Sequence, residues 1–367
     1  MKKLLSLLLL ATITFYTTNA NTNVELKLSG DFYYATDNNS GTGLADRPFT
    51  STNLYKDRFS TNNVLFEIDV HSEKWRVNVD FLNMGEGIIT LEEANIGLNV
   101  CKGLWVEGGY WTRWDHDYTF NKWFTSNSLT EYFNMAAPYT AFGLRYEFTE
   151  KMALSAGLMN NGFIPGGLPA FDHEGEINQT KSIYAKFELE DYFKDWDLVA
   201  SFINGNLAPP STPCRSMSLI YLETGGCLFD RVEGKLTFKY LMFNDEHRVS
   251  VDDPNETASG NLFSAQLQAK YRICEKFAAG CRFAFTSDNN EGLFLQGNSG
   301  MDLGLVLEYN PTLFTYIRLE GGMLSFSNSD HEDRAKVFFN SDQEAVSSRM
   351  GVSISMGWRL GLFQRTI

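Results

Sequence analysis

The stretch that decides the fold class is residues 349–362, which read RMGVSISMGWRLGL. Every second residue from Met350 to Leu362 is apolar, and the residues between them are Gly, Ser or Arg. Because successive side chains of a β-strand point to opposite faces, this stretch has one apolar face and one small or charged face. It is longer than the strands of about four to eight residues that are usual in soluble sheets, and it can supply the roughly 9 to 11 residues that cross a tilted bilayer.

The same alternation recurs in segments of about ten residues from Val24 to the C-terminus, as in membrane barrels. Clear examples are residues 24–34, 64–71, 75–81, 93–100 and 263–271. A soluble antiparallel sheet also alternates. The second face of these segments, however, is too polar for the interior of a sandwich and suits a water-filled lumen. The sequence therefore predicts an all-β fold, a transmembrane antiparallel β-barrel.

The lengths of the connections predict the number of strands. Long polar connections alternate with tight turns, as external loops alternate with periplasmic turns in bacterial outer-membrane barrels. The eight long connections are residues 35–61, 85–90, 112–138, 162–180, 205–214, 244–260, 287–299 and 325–346, and the seven short ones are residues 72–74, 101–103, 149–151, 191–194, 223–227, 273–276 and 310–312. This alternation predicts sixteen strands with both termini in the periplasm.

The tenth strand, residues 215–222, has the poorest alternation. A disulfide between Cys214 and Cys227 would close an external loop and remove this strand, which makes fourteen strands the second reading. The chain has five Cys, and an odd number leaves at least one thiol unpaired.

Composition and the first residues indicate where the protein works. With 31 Lys and Arg against 45 Asp and Glu, the net charge of −14 disfavours nucleic acid as a partner. Residues 1–20 have a Lys2-Lys3 start, a short apolar core and the small-residue end TNA, which is typical of a secretory signal peptide. We therefore expect residues 1–20 to be removed and residues 21–367 to form a barrel in the bacterial outer membrane, surrounded by its lipid.

Sixteen strands enclose a lumen too wide for side chains to fill, which predicts a porin for passive diffusion of small hydrophilic solutes or ions. Residues 112–138 are the candidate constriction, because an external loop so rich in aromatics needs a surface to pack on. Folding inward is the preferred reading; a lid, or packing against a neighbouring subunit, is the alternative. The candidate constriction residues are the loop acids Asp115, Asp117 and Glu131 and the wall residues Glu107, Arg145, Arg282, Arg318 and Arg349.

Signals of catalysis are weak. The sequence contains no G-x-S-x-G, H-E-x-x-H or phosphate-loop motif, and we predict neither an enzyme nor a cofactor or metal. Two other functions stay open: an outer-membrane barrel enzyme with a site on its loops, and an adhesin or structural barrel with a plugged lumen.

Several short motifs are similar to those of a known family. They are Glu93-Ala94, residues 109–112 (GYWT), residues 134–138 (NMAAP), Gly143 and residues 161–163 (NGF). In these the chain resembles the putative beta-barrel porin-2 family of bacterial outer-membrane proteins. The resemblance implies an outer-membrane pore and possible assembly as a homotrimer, and it transfers no catalytic residues.

Overall fold

The computed structural model describes residues 22–37, 59–83, 89–111, 123–124, 128, 130, 139–160, 182–192, 195–205, 216–248, 257–289, 299–327 and 348–366. These residues contain sixteen strands. The strands are β1 (Asn23–Asp37), β2 (Phe59–His71), β3 (Trp75–Asn83), β4 (Ile89–Cys101), β5 (Leu104–Trp111), β6 (Tyr139–Thr149), β7 (Met152–Asn160), β8 (Ser182–Leu189), β9 (Asp197–Gly205), β10 (Ser216–Phe229), β11 (Val232–Arg248), β12 (Thr257–Arg272), β13 (Phe277–Asn289), β14 (Ser299–Thr312), β15 (Thr315–Phe326) and β16 (Ser348–Thr366).

The sheet closes on itself. Each strand pairs with its sequence neighbours, and β1 pairs antiparallel with β16, from Asn23 opposite Thr366 to Asp37 opposite Gly351. Closure leaves no unpaired strand edge, which a membrane-spanning sheet requires because lipid cannot satisfy free backbone groups. The predicted antiparallel barrel of sixteen strands is confirmed.

The alternation of the sequence places apolar groups outside and polar groups inside. On β14, Met301, Leu303, Leu305 and Leu307 are exposed, whereas the residues between them are buried. Large exposed apolar side chains line the outer face of most strands, as expected where lipid rather than water is the solvent. Among the residues described above, no helix has the length and hydropathy needed to cross a membrane.

The predicted turn at residues 223–227 is wrong. Strand β10 continues to Phe229, with Gly225 opposite Lys235 and Gly226 opposite Gly234, so the turn lies at residues 230–231. A Cβ atom at Gly226 would collide with the backbone of Asp195. The glycine therefore permits a close approach by the β8–β9 turn and does not reverse the chain.

The position of β10 also removes the fourteen-strand reading. The strand that a Cys214–Cys227 disulfide would have removed is present, and the thiol of Cys227 is free. Cys214 lies outside the described residues. A smaller correction concerns residues 310–312, which belong to β14, because the turn lies at Leu313 and Phe314. The predicted signal peptide, residues 1–20, also lies outside the described residues and stays a prediction.

Candidate pore constriction

Part of the connection between β5 and β6 is buried against the inner face of the barrel. Phe124, Ser128 and Thr130 are 3%, 1% and 0% exposed. The hydroxyl of Thr130 is 2.7 Å from the hydroxyl of Ser264 on β12, and the Lys239 ammonium on β11 donates to the Thr130 carbonyl over 3.1 Å. The inward packing preferred from the sequence is therefore seen at the described residues of this connection.

Phe124 makes a second contact with the same region. Its ring lies 4.6 Å from the guanidinium carbon of Arg282 on β13, a separation at which a desolvated cation–π pair contributes about 2 kcal/mol. A Cβ atom at Gly304 on β14 would lie 3.2 Å from the Phe124 ring. The glycine therefore leaves room for the ring.

The contacted wall lies almost opposite the origin of the connection. Strands β12 and β13 are seven positions from β5 and β6 around a ring of sixteen strands. Phe124 and Thr130 thus lie against the wall almost opposite the strands that this connection joins.

Beneath these contacts is a wall of buried ion pairs, here called the covered wall, formed by the lumen face of β11–β15. The Arg282 guanidinium lies 3.3 Å from the Asp302 carboxylate, and both side chains are 0% exposed. The Glu308 carboxylate accepts a hydrogen bond from Arg318 over 2.7 Å and another from Lys270 over 2.8 Å. Removing one partner of such a pair leaves a buried charge without its counter-ion, which typically costs about 3–5 kcal/mol.

The facing side of the lumen, here called the exposed wall, is formed by the lumen face of β1–β8. Most of its charges are more accessible than those of the covered wall, although Asp31 and Lys186 are buried. On β3–β8, six side chains of alternating sign form one connected network, which runs through Glu107, Arg76, Glu147, Arg145, Glu188 and Lys186. The Nε of Arg145 lies 3.3 Å from Glu147, and the ammonium of Lys186 lies 2.7 Å from Glu188. Trp105 donates from its indole nitrogen to Glu147 over 3.0 Å.

Comparison with known proteins identifies the family. The family model described as "Putative beta-barrel porin-2, OmpL-like" matches residues 23–359. The chain belongs to this family. It is therefore an outer-membrane porin, a channel for passive diffusion, and its family indicates a channel rather than an enzyme. No curated protein matches the sequence.

Solved porin structures share the fold at low sequence identity. The outer membrane channel DcaP of Acinetobacter baumannii matches with a TM-score of 0.59 and 12% identity over 93% of this chain and 98% of that chain. An anion-selective porin from Comamonas acidovorans matches with a TM-score of 0.57 and 11% identity over 92% of this chain and 100% of that chain. The trimer form of OmpT from Vibrio cholerae matches with a TM-score of 0.54 and 11% identity over 93% of this chain and 100% of that chain. At these identities the likeness concerns the fold alone.

The predicted constriction residues of the porin fall into separate groups. Glu107 and Arg145 lie in the network of the exposed wall, and Arg282 and Arg318 in the covered wall. Of these four, Arg282 contacts the inward connection. Arg349 lies on β16 opposite Leu324. The predicted loop acids Asp115, Asp117 and Glu131 lie outside the described residues.

Sequence reasoning missed several buried polar residues on the lumen face. Ser264 and Thr286 form a chain of hydroxyls with Thr130, with 2.7 Å between neighbouring oxygens. Tyr316 stacks on Arg318 and donates to Asp31 on β1. Small hydroxyl residues on a lumen face look like ordinary water-facing positions, and only their complete burial distinguishes them.

The described residues contain no group of three or more His, Cys, Asp or Glu that could hold a metal ion.

At the periplasmic rim, Asp191 lies 2.9 Å from the ammonium of Lys151 and raises the pKa of that lysine through a hydrogen bond and charge attraction. The described arrangement therefore consists of a polar lumen with two charged walls, one of which contacts Phe124 and Thr130.

Proposed function

We propose that residues 112–138 set the width of the diffusion channel by crossing the lumen and resting on the covered wall. The observation that carries this proposal is the contact of Thr130 with Ser264 and Lys239, made by a chain that leaves the barrel wall seven strands away. Hydrogen bonds to a charged donor and the cation–π contact of Phe124 support a connection held in a fixed position.

Small hydrophilic solutes and ions then pass between this connection and the charged walls. The residues assigned to the narrow zone are those predicted from the sequence: Asp115, Asp117 and Glu131 of the connection, and Glu107, Arg145, Arg282, Arg318 and Arg349 of the wall. Fixed charges of both signs favour polar solutes over apolar ones, because apolar solutes gain nothing from the field and disturb the ordered water. The assignment uses no bound cofactor and no catalytic step.

Two further parts of the proposal concern the assembled protein. Residues 1–20 act as an export signal that is removed, and residues 21–367 enter the outer membrane. The porin assembles as a homotrimer, which its family resemblance and the trimer form of the Vibrio cholerae protein support.

Single-channel recording of the refolded porin in a planar bilayer tests the function. We expect stepwise current from the native protein and larger steps after deletion of residues 118–133, because that deletion removes the crossing. A matched deletion of residues 330–345, from another long connection, serves as the control and should leave the step size closer to that of the native protein.

Three outcomes would count against the proposal. A barrel that is shown to be folded but gives no stepwise current would favour a plugged structural or adhesive barrel. An unchanged step size in the 118–133 variant would remove the constriction role of the connection. Equal increases in both deletion variants would show that the effect is not specific to the crossing.

A further inference from the structure

The short turns at the periplasmic end of the barrel differ in composition from one side to the other. The β2–β3, β4–β5 and β6–β7 turns present exposed charged side chains, namely Glu73, Lys74, Lys102, Glu150 and Lys151. The β10–β11 and β14–β15 turns instead contain apolar pairs of the same sequence, Leu-Phe, at residues 228–229 and 313–314. The β8–β9 turn between the two sides is mixed, with Tyr192 exposed beside Asp191.

The apolar turns are exposed even more than the lipid-facing side of the strands. Leu313 is 96% exposed and Phe229 is 73% exposed, the two highest values among the large apolar side chains that the structure describes. Leu305, in the middle of β14, is 67% exposed. Because transfer of a fully exposed Leu or Phe side chain into an apolar medium is favourable by about 1.5–3 kcal/mol, water is an unfavourable surrounding for both turns.

These turns continue the lipid-facing surface of the barrel. On β14 the exposed side chains of Leu305 and Leu307 are followed by Tyr309, whose ring stacks on Phe277 of β13 with 4.7 Å between the ring centroids. Leu313 follows four residues later, at most roughly 13 Å further along the strand at about 3.3 Å per residue. Aromatic rings of a membrane barrel usually mark the membrane boundary. On this side of the barrel the apolar surface extends beyond the aromatic pair.

Backbone hydrogen bonds join the neighbouring turns on this side. The amide of Arg272 donates to the carbonyl of Arg231, and the amide of Asn310 donates to the carbonyl of Lys276, each over 2.8 Å. The β10–β11, β12–β13 and β14–β15 turns therefore form one connected edge, here called the apolar rim. Its exposed apolar side chains are Leu228, Phe229, Ile273, Leu313 and Phe314.

The polar groups of the apolar rim are compatible with a lipid boundary. The hydroxyl of Thr312 accepts from the amide of Phe314 over 3.2 Å and lies 2.7 Å from the hydroxyl of Thr315. Backbone groups with partners inside the protein can leave water at lower cost. The charged residues of these turns, at 230–231 and 275–276, form the formally neutral sequences Asp-Arg and Glu-Lys. Long Arg and Lys side chains reach lipid headgroups while their stems lie against apolar surface.

We propose that the apolar rim lies in the periplasmic leaflet of the outer membrane, whereas the charged turns between β2 and β7 lie in water. The partner of this surface is phospholipid, because the rim is continuous with the lipid-facing side of β14. The membrane boundary is then closer to the periplasmic end at β10–β15 than at β2–β7. A membrane accommodates such a difference by tilt of the protein or by a local change of bilayer thickness. The proposal is independent of the constriction and of conduction.

The test is the quenching of a fluorophore attached to single cysteines of the porin in lipid nanodiscs. The five native Cys are replaced by Ser, and the discs contain phosphatidylethanolamine and phosphatidylglycerol. A nitrobenzoxadiazole group on Phe229→Cys or Leu313→Cys should emit at shorter wavelength than the same group in water. Its emission should be lost on addition of lipids that carry a nitroxide on the acyl chain, and iodide in the buffer should have little effect.

Lys74→Cys and Glu150→Cys are the matched controls, because both positions are exposed in short turns of the charged side. The same fluorophore there should be quenched by iodide and little affected by the nitroxide lipids. Faster migration of unheated samples in gel electrophoresis shows that each labelled barrel is folded. Phe314→Cys gives a second reading on the β14–β15 turn if the Leu313→Cys barrel does not fold.

Two results would overturn the proposal. Iodide quenching at positions 229 and 313 as strong as at positions 74 and 150 would place the apolar rim in water, and would favour a periplasmic protein or a second copy of the porin as its partner. Equal quenching by nitroxide lipids at all four positions would show that the two sides of the barrel meet the membrane at the same level.

Discussion

On the covered wall, Arg282 and Asp302 lie 3.3 Å apart with both side chains 0% exposed, whereas on the exposed wall Lys27 and Asp69 lie 3.4 Å apart at 40% and 28% exposure. Each pair joins a basic side chain to an aspartate, and the two separations are nearly the same. A buried pair fixes structure, because losing one partner strands the other in a medium of low dielectric constant. An exposed pair adds little stability, and its field reaches the solvent. Burial therefore distinguishes the wall that contacts Phe124 and Thr130 from the exposed wall.

The largest effect should come from breaking the buried pair. Arg282→Ala removes the guanidinium that faces the buried Asp302 carboxylate and the contact with Phe124, so we expect a loss of about 3–5 kcal/mol in the free energy of unfolding. Lys27→Ala on the exposed wall should cost no more than about 1 kcal/mol. Denaturant titration in detergent micelles measures both, and equal losses would contradict the difference between the walls.

A smaller effect is expected at the anchor of the connection. Lys239→Met removes the donor to the Thr130 carbonyl, which should cost about 2 kcal/mol, the usual contribution of a hydrogen bond to a charged group. It should also enlarge the single-channel conductance by loosening the crossing.

Lys235→Met provides the control on the same strand, because it removes a lysine that pairs with Glu223 on β10 at 3.2 Å. Its conductance should stay close to the native value. If the two lysine variants conduct alike, the contact with Thr130 does not hold the constriction.

The register of β10 sets which side chains of that strand reach the lumen, and Cys227 tests it. Its thiol is free and donates to the carbonyl of Phe229 over 3.2 Å, a contact that a serine hydroxyl can replace. Cys227→Ser should therefore change the free energy of unfolding by no more than about 0.5 kcal/mol. A loss of several kcal/mol together with a mobility change on reduction would instead indicate a disulfide at this position.

The smallest effect is expected at the fully exposed rim. The pKa of Lys151 is raised above its ordinary 10.5 by Asp191. A raised lysine pKa stabilises the folded state below the ordinary value, and this contribution is lost as the pH rises through the raised value. Asp191→Asn should return the Lys151 pKa to its ordinary value in an NMR titration; an unchanged titration would show that the pair does not persist in solution.

The sequence predicts the strands well because, in a membrane barrel, alternate residues of each strand face lipid and water and are therefore alternately apolar and polar. Residues 349–362 and 263–271 alternate without interruption, and both lie in strands whose outer face is apolar. The exception is the predicted turn at residues 223–227, which lies within β10. At Gly225 and Gly226 the composition favours a turn, while in the structure a backbone approach from another part of the chain requires glycine.

The candidate site is less predictable. Strand parity places Arg145 and Arg282 on the lumen face, but it contains no information about which wall a long connection will reach. That choice depends on contacts between residues as distant as Thr130 and Ser264, and both are ordinary polar residues in the sequence. The burial that distinguishes the two walls is likewise a property of the folded barrel.

The crossing of the lumen is tested most directly by cross-linking its two contact points. In a background with the five native Cys replaced by Ser, the pair Thr130→Cys/Ser264→Cys should form a disulfide, because the native oxygens lie 2.7 Å apart. The pair Thr130→Cys/Ser155→Cys, with Ser155 on β7, five strands from β12, should remain reduced. Mass spectrometry of the oxidised porin should find the first cross-link and not the second; the reverse result, or no cross-link at Ser264, would contradict the crossing.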